Sequence, residues 1–196
     1  MLLHVVPASA AQLAALVEGE EVFAARFGRA VATGFNAFSD AAERGLEGWW
    51  NGDVVPPWWT HLFFLPGGPL ASAELVGIGG YHGAPDADGE VEIDCAIAPA
   101  RRGRGYATQA VRELVRRAFV DGAARSVVAH TGAAYGAPAR ILEYCGFERV
   151  FSFYDPSKGS RWRWQARRAD AAAPAWPIER RWLPTRPQPE HQPVRE

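Results

Sequence analysis

Three groups of residues in this 196-residue chain are spaced to do chemistry. Glu92 and Asp94 stand in Val91-Glu92-Ile93-Asp94-Cys95-Ala96-Ile97, where apolar residues alternate with polar or small ones. That is the period of a strand, so the two carboxylates share one face and can accept a proton or hold a cation. His82 follows the apolar run Leu75-Val76-Gly77-Ile78-Gly79-Gly80-Tyr81, and its imidazole, with an ordinary pKa of about 6.5, suits proton transfer. Beyond Ile97 comes the basic, glycine-rich turn Arg101-Arg102-Gly103-Arg104-Gly105-Tyr106-Ala107.

The elements around that turn define its chemistry. After it, Ala107, Ala110, Val111, Leu114, Val115, Ala118 and Phe119 recur at three- and four-residue spacing, with Gln109, Arg112, Glu113, Arg116 and Arg117 between them, which is an amphipathic helix. The unit is therefore strand, basic turn, helix. Its glycines allow a tight turn, and the first helical turn leaves unpaired N–H groups at the positive end of the dipole. Such a site suits a phosphate, and the arginines favour a pyrophosphate. It is not the Gly-x-Gly-x-x-Gly fingerprint, because position 108 is Thr, and no Gly-Lys-Ser/Thr follows as in a Walker motif.

The run Arg102-Gly103-Arg104-Gly105-Tyr106-Ala107 resembles the Arg/Gln-x-x-Gly-x-Gly/Ala acetyl-CoA motif of the GNAT N-acetyltransferase superfamily, preceded by an apolar strand and a proline in Ile97-Ala98-Pro99. Ser126 to His130 is similar to the family's next strand, and Ala139-Arg140-Ile141-Leu142-Glu143-Tyr144-Cys145-Gly146-Phe147 to its following helix with a Gly-Phe ending. The likeness extends over roughly Leu2 to Arg167 and points to the branch that includes ribosomal-protein alanine acetyltransferases. It implies an α/β (α+β) fold, a mixed, mostly antiparallel central sheet flanked by helices, with acetyl-CoA as co-substrate and no metal. It also implies that the backbone at Ile97 and Ala98 pairs with the pantetheine arm. The N–H groups from Gly103 to Thr108, through Arg104, Gly105, Tyr106 and Ala107, would hold the pyrophosphate with Arg102 beside them. Glu92 then becomes the expected general base, with Asp94 and His82 as alternative bases or acceptor-binding residues.

Two positions depart from the family pattern. The tyrosine that many members use as general acid is Leu142 here, and Tyr144 lies about 200° further around the helix. The Asn and Ser at the start of that helix are Tyr135 and Pro138; Tyr135 is a candidate for contacting the carrier or donating a proton, or fills the loop, and the acid stays open. The resemblance implies an N-acetyltransferase acting on the primary amine of a small molecule or a peptide. Alternatives are an acyl-CoA-binding or sensing protein and a nucleic-acid-binding protein. The last rests on Trp162 and Trp164 interleaved with Arg161, Arg163, Arg167 and Arg168. A strand would place Trp and Arg on opposite faces, one buried and one exposed, so no nucleic-acid partner is expected.

Composition sets the bounds. One domain is expected at this length, and 48% hydrophobic residues suffice for a sizeable core. A net charge of −1 gives no general field for nucleic acid or membranes. No apolar run spans a bilayer and Met1-Leu2-Leu3-His4 lacks a signal-peptide pattern, so a cytoplasmic protein without a membrane partner is expected. Cys95 and Cys145 sit in apolar settings with no metal-binding spacing.

Along the chain, Leu2 to Val6 predicts a strand ended by Pro7, and Ser9 predicts the N-cap of a helix through Leu13, Leu16 and Val17 closed by Gly19. A second helix is expected from Glu20 to Phe27, then an irregular segment from Val31 to Pro57 with one short helix, Ser39 to Gly45. Strands beginning at Trp58 and at Leu75, with the central strand, predict an antiparallel meander. The glycines at 77, 79 and 80 point either to close approach of backbone or ligand or to weak packing. Pro85-Asp86-Ala87-Asp88-Gly89 reads as turn chemistry rather than a calcium loop. Val150 to Tyr154 and Arg161 to Gln165 predict a hairpin across Asp155 to Gly159. The domain is thus expected over residues 1–169. Residues 170–196 form a proline-rich extended tail in which Trp176 and Trp182 suit docking on the domain or on a second subunit of a homodimer.

Overall fold

The computed structural model describes residues 2–53, 57–67, 72–120 and 124–168, without the side chains of 36 and 37. The expected tail, with Trp176 and Trp182, lies outside these residues. The elements follow in the order β1 (His4–Pro7), α1 (Ala10–Glu18), α2 (Glu20–Phe27), β2 (Ala30–Val31), α3 (Ser39–Trp50), β3 (Thr60–Leu65), β4 (Glu74–Tyr81), β5 (Glu90–Ile97), α4 (Tyr106–Val120), β6 (Ser126–Gly132), α5 (Ala137–Tyr144), β7 (Glu148–Asp155) and β8 (Gly159–Arg167). The strands form one mixed sheet in the order β1-β3-β4-β5-β6-β8-β7, and β2 pairs with the start of β4. Apart from β2, the only parallel pair among the described residues is β5 with β6, which requires a crossover, and α4 supplies it.

Local chemistry explains most boundaries. The Ser9 hydroxyl accepts from Gln12 N–H while the Gln12 side chain accepts from Ser9 N–H, a capping box that starts α1 as expected. Gly28 closes α2 in the left-handed conformation. The carboxylate of Asp86 accepts from the N–H groups of Asp88 and Glu90, both at 2.9 Å, which shows the acidic turn spending its charge on the backbone.

The segment expected to be irregular needs correction. Helix α3 runs to Trp50 instead of stopping at Gly45, and β2 and a 3-10 turn at Phe35–Phe38 precede it. Glycines 45 and 48 argue locally against a helix. Packing overrides them, because a Cβ on Gly45 would lie 2.5 Å from the Thr60 hydroxyl and 3.1 Å from a Leu13 methyl. The glycine lets α3 press against both β3 and α1. In β4 the close approach is of backbone: a Cβ on Gly77 would lie 2.5 Å from the Ala96 carbonyl oxygen of the neighbouring strand.

The core joins both sides of the sheet. Val91, Ile93 and Ile97 alternate into it from β5, and Leu114, Val115 and Ala118 enter from α4. Buried Tyr81 donates its hydroxyl to the Leu114 carbonyl at 2.7 Å, tying β4 to α4, and Gln109 and Arg117 of α4 bond to backbone groups of Leu3 and Val5. On β8, Trp164 is buried and donates its indole N–H to Thr131 at 2.9 Å. Arg161 and Arg163 on the opposite face are half-buried, not exposed as the alternation alone implies, because Arg163 ion-pairs with Glu90.

His61 of β3 is fully buried, with Nδ1 2.9 Å from the Trp59 carbonyl and Nε2 unpartnered. Burial lowers its pKa from 6.5 to about 4. The folded state therefore resists the proton that the unfolded chain accepts, so stability is lost as pH falls from 6.5 through about 4. A lowering of that size is worth roughly 3 kcal/mol. In urea unfolding at pH 7 and pH 4.5, His61→Leu should remove most of the acid-linked loss from this range; a variant losing as much stability as wild type would exclude His61 as its source.

Candidate active site

The site is built where the sheet opens. β5 and β6 are paired at Glu90–Ser126, Val91–Val127 and Glu92–Val128 and no further. Yet β5 stays in register with β4 from Ile93 to Ile97, and β6 with β8 out to Gly132. The two halves of the sheet therefore separate just past Glu92, leaving one edge of β5 uncovered. A hollow of about 200 Å³ occupies the gap, walled by Cys95, Ala107 and Val111 on one side and Thr131, Ile141 and Leu142 on the other. A second hollow of about 620 Å³ is bounded by α3, the start of β3, the end of β4 and the β7–β8 hairpin. Both are lined by Ile93, Asp94 and His130, so they meet back to back at the gap.

The larger hollow collects the charges. Glu92, Asp94 and His82 all line it, so the three polar residues singled out in the sequence do come together. His82 Nε2 lies 3.1 Å from Asp94 Oδ2, and Arg44 of α3 lies 3.7 Å from the same oxygen. The hydrogen bond to Asp94 raises the His82 pKa against the opposing effect of burial. His82 is thereby held toward its cationic form, which suits it poorly to the role of base. Glu92 Oε1 sits 2.8 Å from His130 Nδ1 and 3.7 Å from His82 Nδ1. With Glu92 ionised, the short contact requires a proton on His130 Nδ1, and in the neutral ring Nε2 then keeps its lone pair.

The basic turn has the expected form with a different use of its arginines. Gly103 and Gly105 have φ of 73° and 77°, a conformation that side-chain-bearing residues rarely adopt, and open space surrounds both. Arg101 is committed to Glu74 by two bonds of 2.9 and 2.7 Å, making it a strut between the turn and β4. Arg102 Nε donates to the Ile97 carbonyl at 2.9 Å, and Ala98 N–H donates to the Val76 carbonyl at 2.8 Å. A carrier pairing with Ile97 and Ala98 must use their other backbone groups or displace Arg102. Arg104 and Gly105 are exposed, Tyr106 and Ala107 are half-buried against the core, and the Thr108 carbonyl faces the Cys145 thiol.

Neither tyrosine of the α5 region lines the gap. Tyr135 is 57% exposed and donates to Glu143 at 2.5 Å, a bond that raises its pKa. Tyr144 is exposed beneath the Arg112 guanidinium. Leu142, at the position of the family's acid, is buried and lines the smaller hollow. Reasoning from the sequence missed His130, Arg44 and Lys158, and placed Arg161 only in the nucleic-acid alternative, although all four line the larger hollow. Only His130 left a signal there. As the polar residue at the end of a predicted strand, it could have been paired with Glu92 by assuming a parallel neighbour.

The GNAT acetyltransferase domain model matches residues 2–148. The chain belongs to that family. No curated protein matches the sequence. Solved structures with the same fold include RimL, a ribosomal L7/L12 α-N-protein acetyltransferase in complex with coenzyme A, at 11% identity and TM-score 0.60, covering 85% of this chain and 94% of that one. The microcin C7 self-immunity acetyltransferase MccE with acetyl-CoA and AMP matches at 12% identity and 0.58, covering 85% and 92%. A point mutant of the spermidine N-acetyltransferase SpeG from Vibrio cholerae matches at 13% and 0.54, covering 85% and 95%. At such identities the likeness shows the fold alone. Within this GNAT fold, the His82–Asp94 bond is directly testable. The His82 imidazole should titrate above 6.5 by NMR, and Asp94→Asn should move its midpoint down; a midpoint unmoved by the substitution would dissociate the two residues.

Proposed function

We propose that this protein transfers the acetyl group of acetyl-CoA to a primary amine. The observation that carries this reading is the meeting of two hollows at His130 and Asp94, one beside the basic turn and α4, the other rich in charge. The smaller hollow and the uncovered edge of β5 suit the pantetheine arm and its thioester. The turn from Gly103 to Thr108, with Arg102 and Arg104, suits the pyrophosphate. Its left-handed glycines give the kind of turn whose successive N–H groups can converge on an anion. The larger hollow suits the acceptor, which meets the thioester through the gap. RimL and SpeG are named for acetylating a protein α-amine and a polyamine, which fits an amine acceptor here. Both cysteines are free, in keeping with a reducing, cytoplasmic setting.

In this reading Glu92 removes the proton of the bound ammonium, directly or through the His130 ring bonded to it. The amine nitrogen then attacks the thioester carbonyl carbon. A C–N bond forms, the C–S bond breaks, and coenzyme A leaves as its thiolate. With Leu142 at the phenol position of the family pattern, no tyrosine among the described residues lines the smaller hollow to protonate the thiolate. The thiolate departs as the anion or takes a proton from solvent.

Gly105→Glu should abolish acetyl-CoA binding by calorimetry, because the turn needs a positive φ and a carboxylate there repels phosphate. Unchanged affinity in a folded variant would move the carrier elsewhere.

Glu92→Gln should leave acetyl-CoA affinity intact and lower turnover about 10²–10⁴-fold, the usual worth of a positioned base. The deficit should shrink at high pH, where the free amine needs no base. An unaltered rate across the pH range would remove Glu92 from proton transfer, and a deficit that persists at high pH would make it an acceptor-binding residue.

A further inference from the structure

The charges around the larger hollow do not all cancel. Arg163 of β8 is neutralised by Glu90, Glu92 is bonded to His130, and Asp94 is shared by His82 and Arg44. Two cations remain outside these pairs, and so does one carboxylate of the lining, exposed Asp53 beyond the end of α3. Arg161 lies one pleat along β8 from Arg163, on the same face and half-buried, with its Nε buried and unpartnered. Among the described residues no salt bridge includes Arg161 or Lys158. Lys158 stands in the β7–β8 turn beside Asp155, whose carboxylate is occupied by the Ser157 and Lys158 N–H groups. A half-buried guanidinium without a counter-ion is costly unless a ligand supplies one. Trp59, in the opposite wall, likewise has a buried indole N–H without an acceptor.

We propose that the acceptor carries a carboxylate close to its amine, as a free amino acid does, and that Arg161 and Lys158 bind this carboxylate. The proposal rests on the acetyltransferase reading above and names its substrate class. The register supports the spacing. Glu92 lies opposite Val128 of β6 and Val128 opposite Gln165 of β8, so Arg161 stands two strand spacings across and four residues along the sheet from Glu92, roughly 16 Å between backbones. Both side chains reach into the hollow from those strands, which leaves the length of one small molecule between them. The planar fork of arginine matches a carboxylate, and a hollow of about 620 Å³ is of small-molecule size. A polyamine fits worse. It brings several cations to a lining that already holds Arg161, Lys158 and a His82 held toward its charged form, while Asp94 is shared, Glu92 is bonded to His130, and the one further carboxylate of the lining is the exposed Asp53.

The test uses the full chain loaded with coenzyme A, titrated calorimetrically with the L-amino acids, their C-terminal amides, spermidine and O-phosphoethanolamine. At least one amino acid should bind roughly 10- to 100-fold more tightly than its amide, the worth of a charged hydrogen-bonded contact. Arg161→Gln should bring that ratio toward one. Lys158→Gln, in an exposed turn where folding is not at risk, should lower it as well. The proposal is overturned if no amino acid binds, if amides or spermidine bind as tightly, or if neither substitution changes the ratio. O-Phosphoethanolamine binding more tightly than every amino acid would overturn the carboxylate. The same panel assayed with acetyl-CoA by thiol release separates the two readings. Release with amides or spermidine but not acids keeps the transferase and sinks this proposal, whereas selective binding of acids without release keeps this site and sinks the transferase.

Discussion

The early end of the β5–β6 pairing is the constraint on which the rest of this structure depends. Each half of the sheet is satisfied on its own outer side, β5 against β4 and β6 against β8, so the halves can part without dissolving either strand. What parts them is the contents of the gap. Ala107 and Val111 from α4, and Ile141 and Leu142 from α5, line the space where the next rungs of the ladder would be. Backbone N–H and C=O groups of a strand are obligatory bonding groups, so an uncovered edge in the middle of a sheet favours an extended ligand that pairs like a strand. The same separation opens a passage between the faces. Without it the charged hollow and the hollow beside α4 would be unrelated surfaces.

The polar face of the opened sheet is organised by pairs of charges that span strands. Glu90 meets Arg163 across β6, Glu92 meets His130 on the neighbouring strand, and Asp94 meets His82 of β4 and Arg44 of α3. Each pair crosses elements distant in sequence, so each fixes the position of one wall relative to another. Energetically the exposed members do little, since His82, Asp94 and Arg44 all have side chains more than 40% accessible. Their importance is protonation and orientation. Asp94 keeps His82 toward the cation, and Glu92 keeps the His130 ring turned so that its other nitrogen is available.

How much was legible in the sequence follows from how local each signal is. The Ser9 cap, the Gly19 stop, the amphipathic period of α4 and the glycines of the basic turn are all encoded within a few residues, and they stand where the sequence puts them. Glu92, Asp94 and His82 meet because strand alternation and a tight β4–β5 connection are also nearly local. The second half of α3 was hidden because Gly45 and Gly48 answer to Thr60 and Leu13, contacts that no window around them contains. Arg101 misled for the same reason: in sequence it is one more cation for a phosphate, and in space it belongs to Glu74.

The two sides of the site therefore differ in kind. A phosphate-binding turn is made of backbone N–H groups, whose direction is set by the φ angles of a few adjacent residues, so chemistry and spacing are written together. The larger hollow, lined by side chains from α3, β3, β4, β5, β6 and the β7–β8 turn, has no such script, and any one of its residues can change without disturbing its neighbours in sequence. That separation lets one fold keep its carrier while its acceptor varies. It is in keeping with RimL and SpeG, named for a ribosomal protein and for spermidine, sharing this architecture with the chain at 11% and 13% identity. If the chain acts as proposed, acceptor choice is to be sought in Arg44, His130, Lys158 and Arg161, which the topology alone brings to one hollow, rather than in the motif that reveals the family.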